Sequence, residues 1–339
     1  LLRLLSDSRH GVSPTSLLNN GCVVCAERLR SPVGPRVGTD RLLYERHAIA
    51  PYTGAIGWRS LFNIAWCVSG WVLIVSLELA GKIPLWLAMF LAAVFLQACY
   101  MPMHESVHKT LSGGRRSLAW VDRTVGALAG WLLCESFKAH RITHLKHHTH
   151  TNEETDPDVL NSKGSPSQIL GRVVAGTVLY PLQPLLAVAP PLRRLIPNGL
   201  AVRLGQMAEL RGPEAVAAAR PVALSHLAVL LVGTIFGYGE LVWLLWYIPV
   251  WAARFWLSLV FGWLPHHPHA ETGRYRDTRV FTFFGSTFLI RGHDYHLLHH
   301  LFPVVPHYRL RALWRDIGEH LNEQGARIEG RATRSLSTG

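Results

Sequence analysis

A chain of 339 residues with 49% apolar content and a formal net charge of +12 has room for one large domain or two small ones. Its excess of Lys and Arg does not alternate with aromatics, which argues against a nucleic-acid partner. Five scattered cysteines, odd in number, imply no disulfide framework.

Residues 1–54 are rich in Gly, Pro, Ser and Arg, and are expected to form a disordered basic extension with no clean signal peptide. Arg3, Arg9, Arg28, Arg30, Arg36, Arg41 and Arg46 lie here, the basic flank that the positive-inside rule places beside a span. Cys22-x-x-Cys25 has no second pair to complete a zinc site.

Four apolar runs follow, each close to the 20 residues that a bilayer core requires. They cover about 61–80, 84–103, 220–238 and 241–264, with turns at Gly81-Lys82-Ile83-Pro84 and Tyr238-Gly239-Glu240. Leu118–Leu133 is short and carries Asp122 and Arg123; Ile169–Ala189 is broken by Pro181 and Pro184. Both are read as interfacial helices. Further on, Leu310, Leu313, Trp314, Ile317 and Leu321 recur at the spacing of an amphipathic helix, and residues 328–339 read as a polar tail.

Three histidine clusters punctuate these elements: His104-x-x-x-His108, His144-x-x-His147-His148 and His296-x-x-His299-His300. Residues three and four apart are helix neighbours, with Cβ atoms about 5–6 Å apart, so each cluster can direct several ring nitrogens to one point. Neutral imidazole is the commonest metal ligand and suits iron. Eight imidazoles exceed the needs of one ion, so a two-metal, nearly all-nitrogen site is expected. If the clusters share it, an even number of crossings separates them, and two hairpins of two spans meet that condition. The expected fold is therefore all-α: an integral multi-pass membrane domain over 55–327, with four transmembrane helices in two hairpins and a cytoplasmic helical cap that carries the histidines. Sparse positive charge in the opposite turns sets that orientation.

Other readings compete. His104-Glu105-Ser106-Val107-His108 matches the H-E-x-x-H helix of zinc proteases, with Glu105 as general base, but leaves two clusters without employment. A carboxylate-bridged di-iron bundle needs a second Glu-x-x-His, which is missing. A non-enzymatic zinc-binding or transport protein would hold its ions near the midplane, away from span ends.

Over roughly residues 55–325 the chain resembles the membrane fatty acid desaturase superfamily, which includes carotenoid hydroxylases and ketolases. The most specific stretches are FKAHRITHLKHHTHTNEETDPD (Phe137–Asp158) and HDYHLLHHLFPVVPHY (His293–Tyr308). By that resemblance His104, His108, His144, His147, His148, His296, His299 and His300 bind two irons. His266, in Trp263-Leu264-Pro265-His266, is the ninth ligand, with His267 and His269 as substitutes. Asp156, Asp158, Asp294, Glu105 and His140 are candidates to orient the ligand rings through their other ring N–H. The three residues between the first-box histidines, where many acyl desaturases have four, and Asp294, where some relatives carry Asn, depart from the acyl pattern, while Leu264-Pro265-His266-x-Pro268 and Gly273-Arg274-Tyr275 look closer to the carotenoid branch.

The implied chemistry uses O₂ and two external electrons to desaturate a fatty acyl chain, or to hydroxylate or ketolate a carotenoid ring. Unactivated C–H bonds demand such cofactor chemistry. With no dinucleotide fingerprint in the chain, the electrons are expected from a ferredoxin, rubredoxin or cytochrome b5-type donor, which a basic face can steer. One of Arg254, costly inside a span, and His226 is expected to meet a substrate head group or a metal-site carboxylate, unless Arg254 snorkels to the interface.

Overall fold

The structure is a computed structural model that describes residues 37–159, 163–179 and 190–336. Two units are present, Leu1–His47 and Ala48–Gly339. In the first, the described residues lie in α1 (Val37–Ile49), a helix within the stretch expected to be disordered.

The second unit is helical, with α2 (Trp58–Leu79), α3 (Leu85–Ala98), α4 (Tyr100–Val107), α5 (Ala119–Leu132), α6 (Phe137–His150), α7 (Pro166–Leu179), α8 (Asn198–Arg211), α9 (Pro213–Ile235) and α10 (Gly239–His266). After α10 come β1 (Val280–Thr282), α11 (Ser286–Leu289), α12 (His296–Leu301), α13 (His307–Glu323), β2 (Ile328–Gly330) and α14 (Arg331–Leu336). Four helical stretches among the described residues are long and apolar enough to cross a membrane: α2, α3 with α4 (Leu85–Val107), α9 and α10. Large apolar side chains face outward along them, with Trp58 and Phe62 69% exposed and Ile235 79%. Such a belt is stable against lipid rather than water.

The first two spans match the apolar runs closely, except that the second continues through His104 to Val107, so the first box belongs to the span's own last turns. The third starts at Pro213, seven residues early. Glu214 and Arg220 hide that start from hydropathy, whereas Pro213 suits the first helical turn. At 14 residues α5 is too short to cross. Of the proline-broken stretch, α7 covers its first part, and residues 180–189 lie outside the described residues.

Close approach of small residues packs the spans: a Cβ on Gly70 would strike the Phe95 ring. A core of Cys67, Leu96, Met101, Trp246, Val250 and Leu257 lies between them. Trp246 Nε1 donates to the Leu132 carbonyl at 2.9 Å, which ties α10 to the end of α5.

A second core packs the segment that bears the third histidine box. Leu310, Leu313, Trp314, Ile317 and Leu321 of α13 are all buried against Leu297 and Leu298 of α12. Of the segment read as a tail, residues 328–336 form a strand and a short helix. Its β2 pairs in parallel with β1 (Val280↔Ile328), and Ala332 of α14 is buried in this core.

Candidate metal centre

Four elements converge. The end of α4 brings His104 and, just past it, His108; α6 brings His144, His147 and His148; the end of α10 brings His266; α12 brings His296, His299 and His300. Ser136 caps α6 by accepting from Ala139 N. A wider π-helical turn, Ser258–Trp263, immediately precedes His266 and resets the face on which that ring emerges.

The nitrogens gather in two groups. In one, His104, His108, His144 and His299 place ligand atoms within 4.8 Å of one another. His148 joins them, its Nε2 3.0 Å from those of His144 and His299. In the other, His147, His266, His296 and His300 converge in the same way. Neither H-x-x-H-H box serves a single point. In each, the first and last histidines, four apart, face one group, and the middle one faces the other. His144 and His148 join the first group while His147 joins the second; His296 and His300 join the second while His299 joins the first. Successive helical residues diverge by about 100°, which is why neighbours such as His147 and His148 part company.

The contacts are those of converging lone pairs. His144 Nε2 lies 3.0 Å from both His108 Nε2 and His148 Nε2, and His296 Nε2 lies 3.0 Å from His266 Nε2 and 3.1 Å from His300 Nε2. A ring nitrogen carries one hydrogen or one lone pair, so it cannot satisfy two such neighbours by hydrogen bonding. A shared cation satisfies them all. Two nitrogens at about 2.1 Å from one ion and at right angles sit about 3.0 Å apart, against roughly 3.4 Å for a tetrahedral pair. The donor set thus fits two ions of five or six coordination.

Electrostatics favour neutral, metal-ready rings, with His147 the exception. Burial, with the neighbouring imidazoles, pushes His144, His296, His299 and His300 well below the usual histidine value. Burial also lowers His108 to about 3. In His147 burial opposes the charge too, but the Asp156 carboxylate outweighs it and lifts the ring to about 9.

That carboxylate is the clearest orienting partner. His147 Nδ1 donates to Asp156 at 2.9 Å, leaving Nε2 for the centre. Asp156 is fixed in turn by the backbone N–H groups of Asn152 (2.9 Å) and Asp158 (2.8 Å). Asn152 Nδ2 donates at 2.7 Å to the carbonyls of both Glu271 and Asp277, tying this loop to the one after α10. His300 Nδ1 meets Thr151 Oγ1 at 3.3 Å. The Thr-Asn and Asp-Pro-Asp flanks of the second box therefore each have a physical task.

The other candidates lie elsewhere. Asp158 is 3.9 Å from His147 Nδ1, beyond hydrogen-bond reach. Asp294 meets no ligand ring; its Oδ2 accepts from Ser286 Oγ at 2.8 Å and Thr287 Oγ1 at 2.9 Å, fixing the turn ahead of α12. Glu105 turns away from the centre and accepts from His307 Nδ1 (2.6 Å), His307 N (2.8 Å) and Ser60 Oγ. His140 stacks on His144, with ring centroids 5.3 Å apart. His269 is buried, its ring 5.9 Å from that of His266, while His267 is exposed; neither joins a group.

Arg254 and His226 also lie apart. Arg254 donates to the carbonyls of Leu133 and Cys134 and pairs with Glu135 at 3.1 Å. It satisfies the carbonyl end of α5, where a cation is favourable. His226 Nε2 donates to the Trp131 carbonyl at 2.9 Å. Sequence reasoning missed His307, whose partner is 202 residues away, and His293, which reads there as one more residue before the third box.

No curated protein matches the chain. The family model for fatty acid desaturase matches residues 80–331, from the turn before α3 to the start of α14, and so takes in every histidine of both groups. On that match, the chain belongs to the fatty acid desaturase family.

Proposed function

We propose that the protein is a membrane-bound di-iron oxidoreductase that desaturates a fatty acyl chain with O₂ and two electrons from an external donor. The observation that carries this reading is the division of nine imidazoles into two adjoining groups with right-angle nitrogen spacings. His104, His108, His144, His148 and His299 hold one iron, and His147, His266, His296 and His300 hold the other. Iron so held supplies the one-electron and O₂ chemistry that unactivated C–H bonds require and that no side chain carries.

The protein's own part is to fix and shield the centre. Asp156 and Thr151 hold the Nδ1 sides of His147 and His300, so their Nε2 atoms stay aimed inward. Tyr100 packs against His104 and Phe261, an aromatic floor between the histidines and the apolar core of the spans. An acyl chain drawn from the bilayer reaches the centre from that side, and the floor keeps bulk water away.

The arrangement in the membrane is two hairpins, α2 with α3–α4 and α9 with α10, with the histidine side cytoplasmic. Lys109, Arg115, Arg116, Arg123, Lys138 and Arg141 lie between the first two boxes, whereas the turn from α2 to α3 carries only Lys82, as the positive-inside rule requires. The same basic side suits an acidic ferredoxin, rubredoxin or cytochrome b5-type donor.

The protease reading loses its base, because both Glu105 oxygens are engaged by His307 and Ser60. Expression with an electron donor in a carotene-producing host, followed by lipid and pigment mass spectrometry, tests the substrate. New acyl double bonds are the expected result; oxygenated carotenoid with unchanged acyl chains overturns it.

A further inference from the structure

His293 stands outside the nine-imidazole set, yet only 2% of it is exposed. It opens the short turn His293–Tyr295 that leads into α12, three residues ahead of His296 and on the same face. Its ring centroid is 5.0 Å from His104 and 5.6 Å from His299 of the five-nitrogen group, and 5.0 Å from His296 of the four-nitrogen group. Rings within one group are no closer than this in several cases: His104 and His108 are 5.3 Å apart, and His266 and His300 5.2 Å. Phe261 closes another side at 4.1 Å.

Neither Nδ1 nor Nε2 of His293 has a hydrogen-bond partner among the described residues. Most buried side-chain polar atoms in native proteins have a partner, and His293 is the only ring among the described residues with both nitrogens unsatisfied, which marks a place where something polar arrives. His293 nevertheless belongs to neither set of converging ligand atoms. Its ring is as near as some ligand rings are to each other, but its nitrogens do not converge with theirs, so one small ligand can span the difference. The second group, moreover, has one protein nitrogen fewer than the first.

We propose that His293 is a positioning residue that donates a hydrogen bond to a small ligand, such as a water or an azide, taken up by the metal pair between His104 and His296. The proposal rests on the reading of these groups as a two-iron centre. It assigns the ligand-binding face to the side bounded by His293 and Phe261. That side adjoins the aromatic floor and not the solvent.

Azide titration of the full-length, iron-loaded protein in detergent tests it, with iron per chain measured on every sample. His293→Leu removes the donor and fills the volume; His293→Gln retains a donor. Both variants are expected to keep the wild-type iron content. His293→Leu should weaken azide binding by about tenfold, the worth of one charge-assisted hydrogen bond, and His293→Gln should recover most of the loss. Azide affinity in His293→Leu within twofold of wild type overturns the proposal, as does the loss of one iron per chain, which makes His293 a direct ligand. Should His293→Leu fail to accumulate, His293→Phe against His293→Gln gives the same comparison. A wild-type chain without a metal pair overturns the parent reading and this one together; unchanged affinity over an intact pair overturns this one alone.

Discussion

His148 and His299 come from boxes 151 residues apart, and their Nε2 atoms lie 3.0 Å from each other. Each has a sequence neighbour, His147 and His300, that faces the other group. The two H-x-x-H-H boxes are thus reciprocal: each gives an i, i+4 pair to one group and its middle histidine to the other. A motif that reads as one chelating face is a bridge between two.

That reciprocity predicts unequal effects within a box. Replacing His147 by Ala removes one of four nitrogens from the second group and leaves the first complete. Replacing His148 by Ala does the converse. Each variant is expected to lose iron chiefly from its own group, giving about one iron per chain and no desaturation. Metal analysis with Mössbauer spectroscopy separates the two sites, and a random loss from both would count against the assignment.

Asp156→Asn keeps the shape of the carboxylate but removes its charge from His147 Nδ1. Partners of this kind typically matter by about 10–100-fold in metal affinity or activity. The expected result is a loss in that range, carried by the second group, with Asp158→Asn milder because its carboxylate stands 3.9 Å off. Equal effects from the two variants would contradict the geometry.

Glu105→Ala strands a histidine side chain and a backbone donor of His307, so it should destabilise the fold by roughly 1–3 kcal/mol, the cost of unsatisfied buried groups. Glu105→Gln retains an acceptor and should cost less. Thermal unfolding in detergent checks the order. Because Glu105 faces away from the centre, activity per folded molecule should survive Glu105→Gln; its abolition would restore Glu105 to a role in the chemistry.

Acid and alkali act on the metal-free protein through different histidines. Burial holds His108 at about 3 and others of the boxes well below their ordinary value of 6.5. Between those values the unfolded chain binds more protons, so stability falls as pH drops below 6.5. For His147 burial opposes the charge, but Asp156 prevails and raises it to about 9. Its contribution is therefore full below 6.5 and lost as pH rises through 9. Chelator-treated protein should lose thermal stability on both sides, and Asp156→Asn should abolish only the alkaline loss. A flat profile from pH 7 to 5 would contradict the buried, neutral rings.

Much of this was legible in residue spacing. The boxes declare themselves because i, i+3 and i+4 share a helix face, and the spans because twenty apolar residues have few other uses. The allocation of His147 and His148 to different groups was not legible, since it depends on where α4, α10 and α12 sit around α6. Glu105 stands as a candidate orienting carboxylate in the sequence because nothing local signals His307, which docks through the packing of α13. Asp294, a candidate to orient a ligand ring because it stands two residues before the third box, is directed by its turn to Ser286 and Thr287. The strand Ile328–Gly330 was invisible because three residues carry no alternation.

Two irons in this nitrogen-rich centre are what the proposed function requires of the whole arrangement of imidazoles. Metal analysis of the purified full-length chain tests this most directly, alongside the double variant His299→Ala/His300→Ala, which takes one nitrogen from each group. About two irons per wild-type chain, lost in the double variant, is the predicted result. A single tightly bound zinc per chain, retained in that variant, would contradict it.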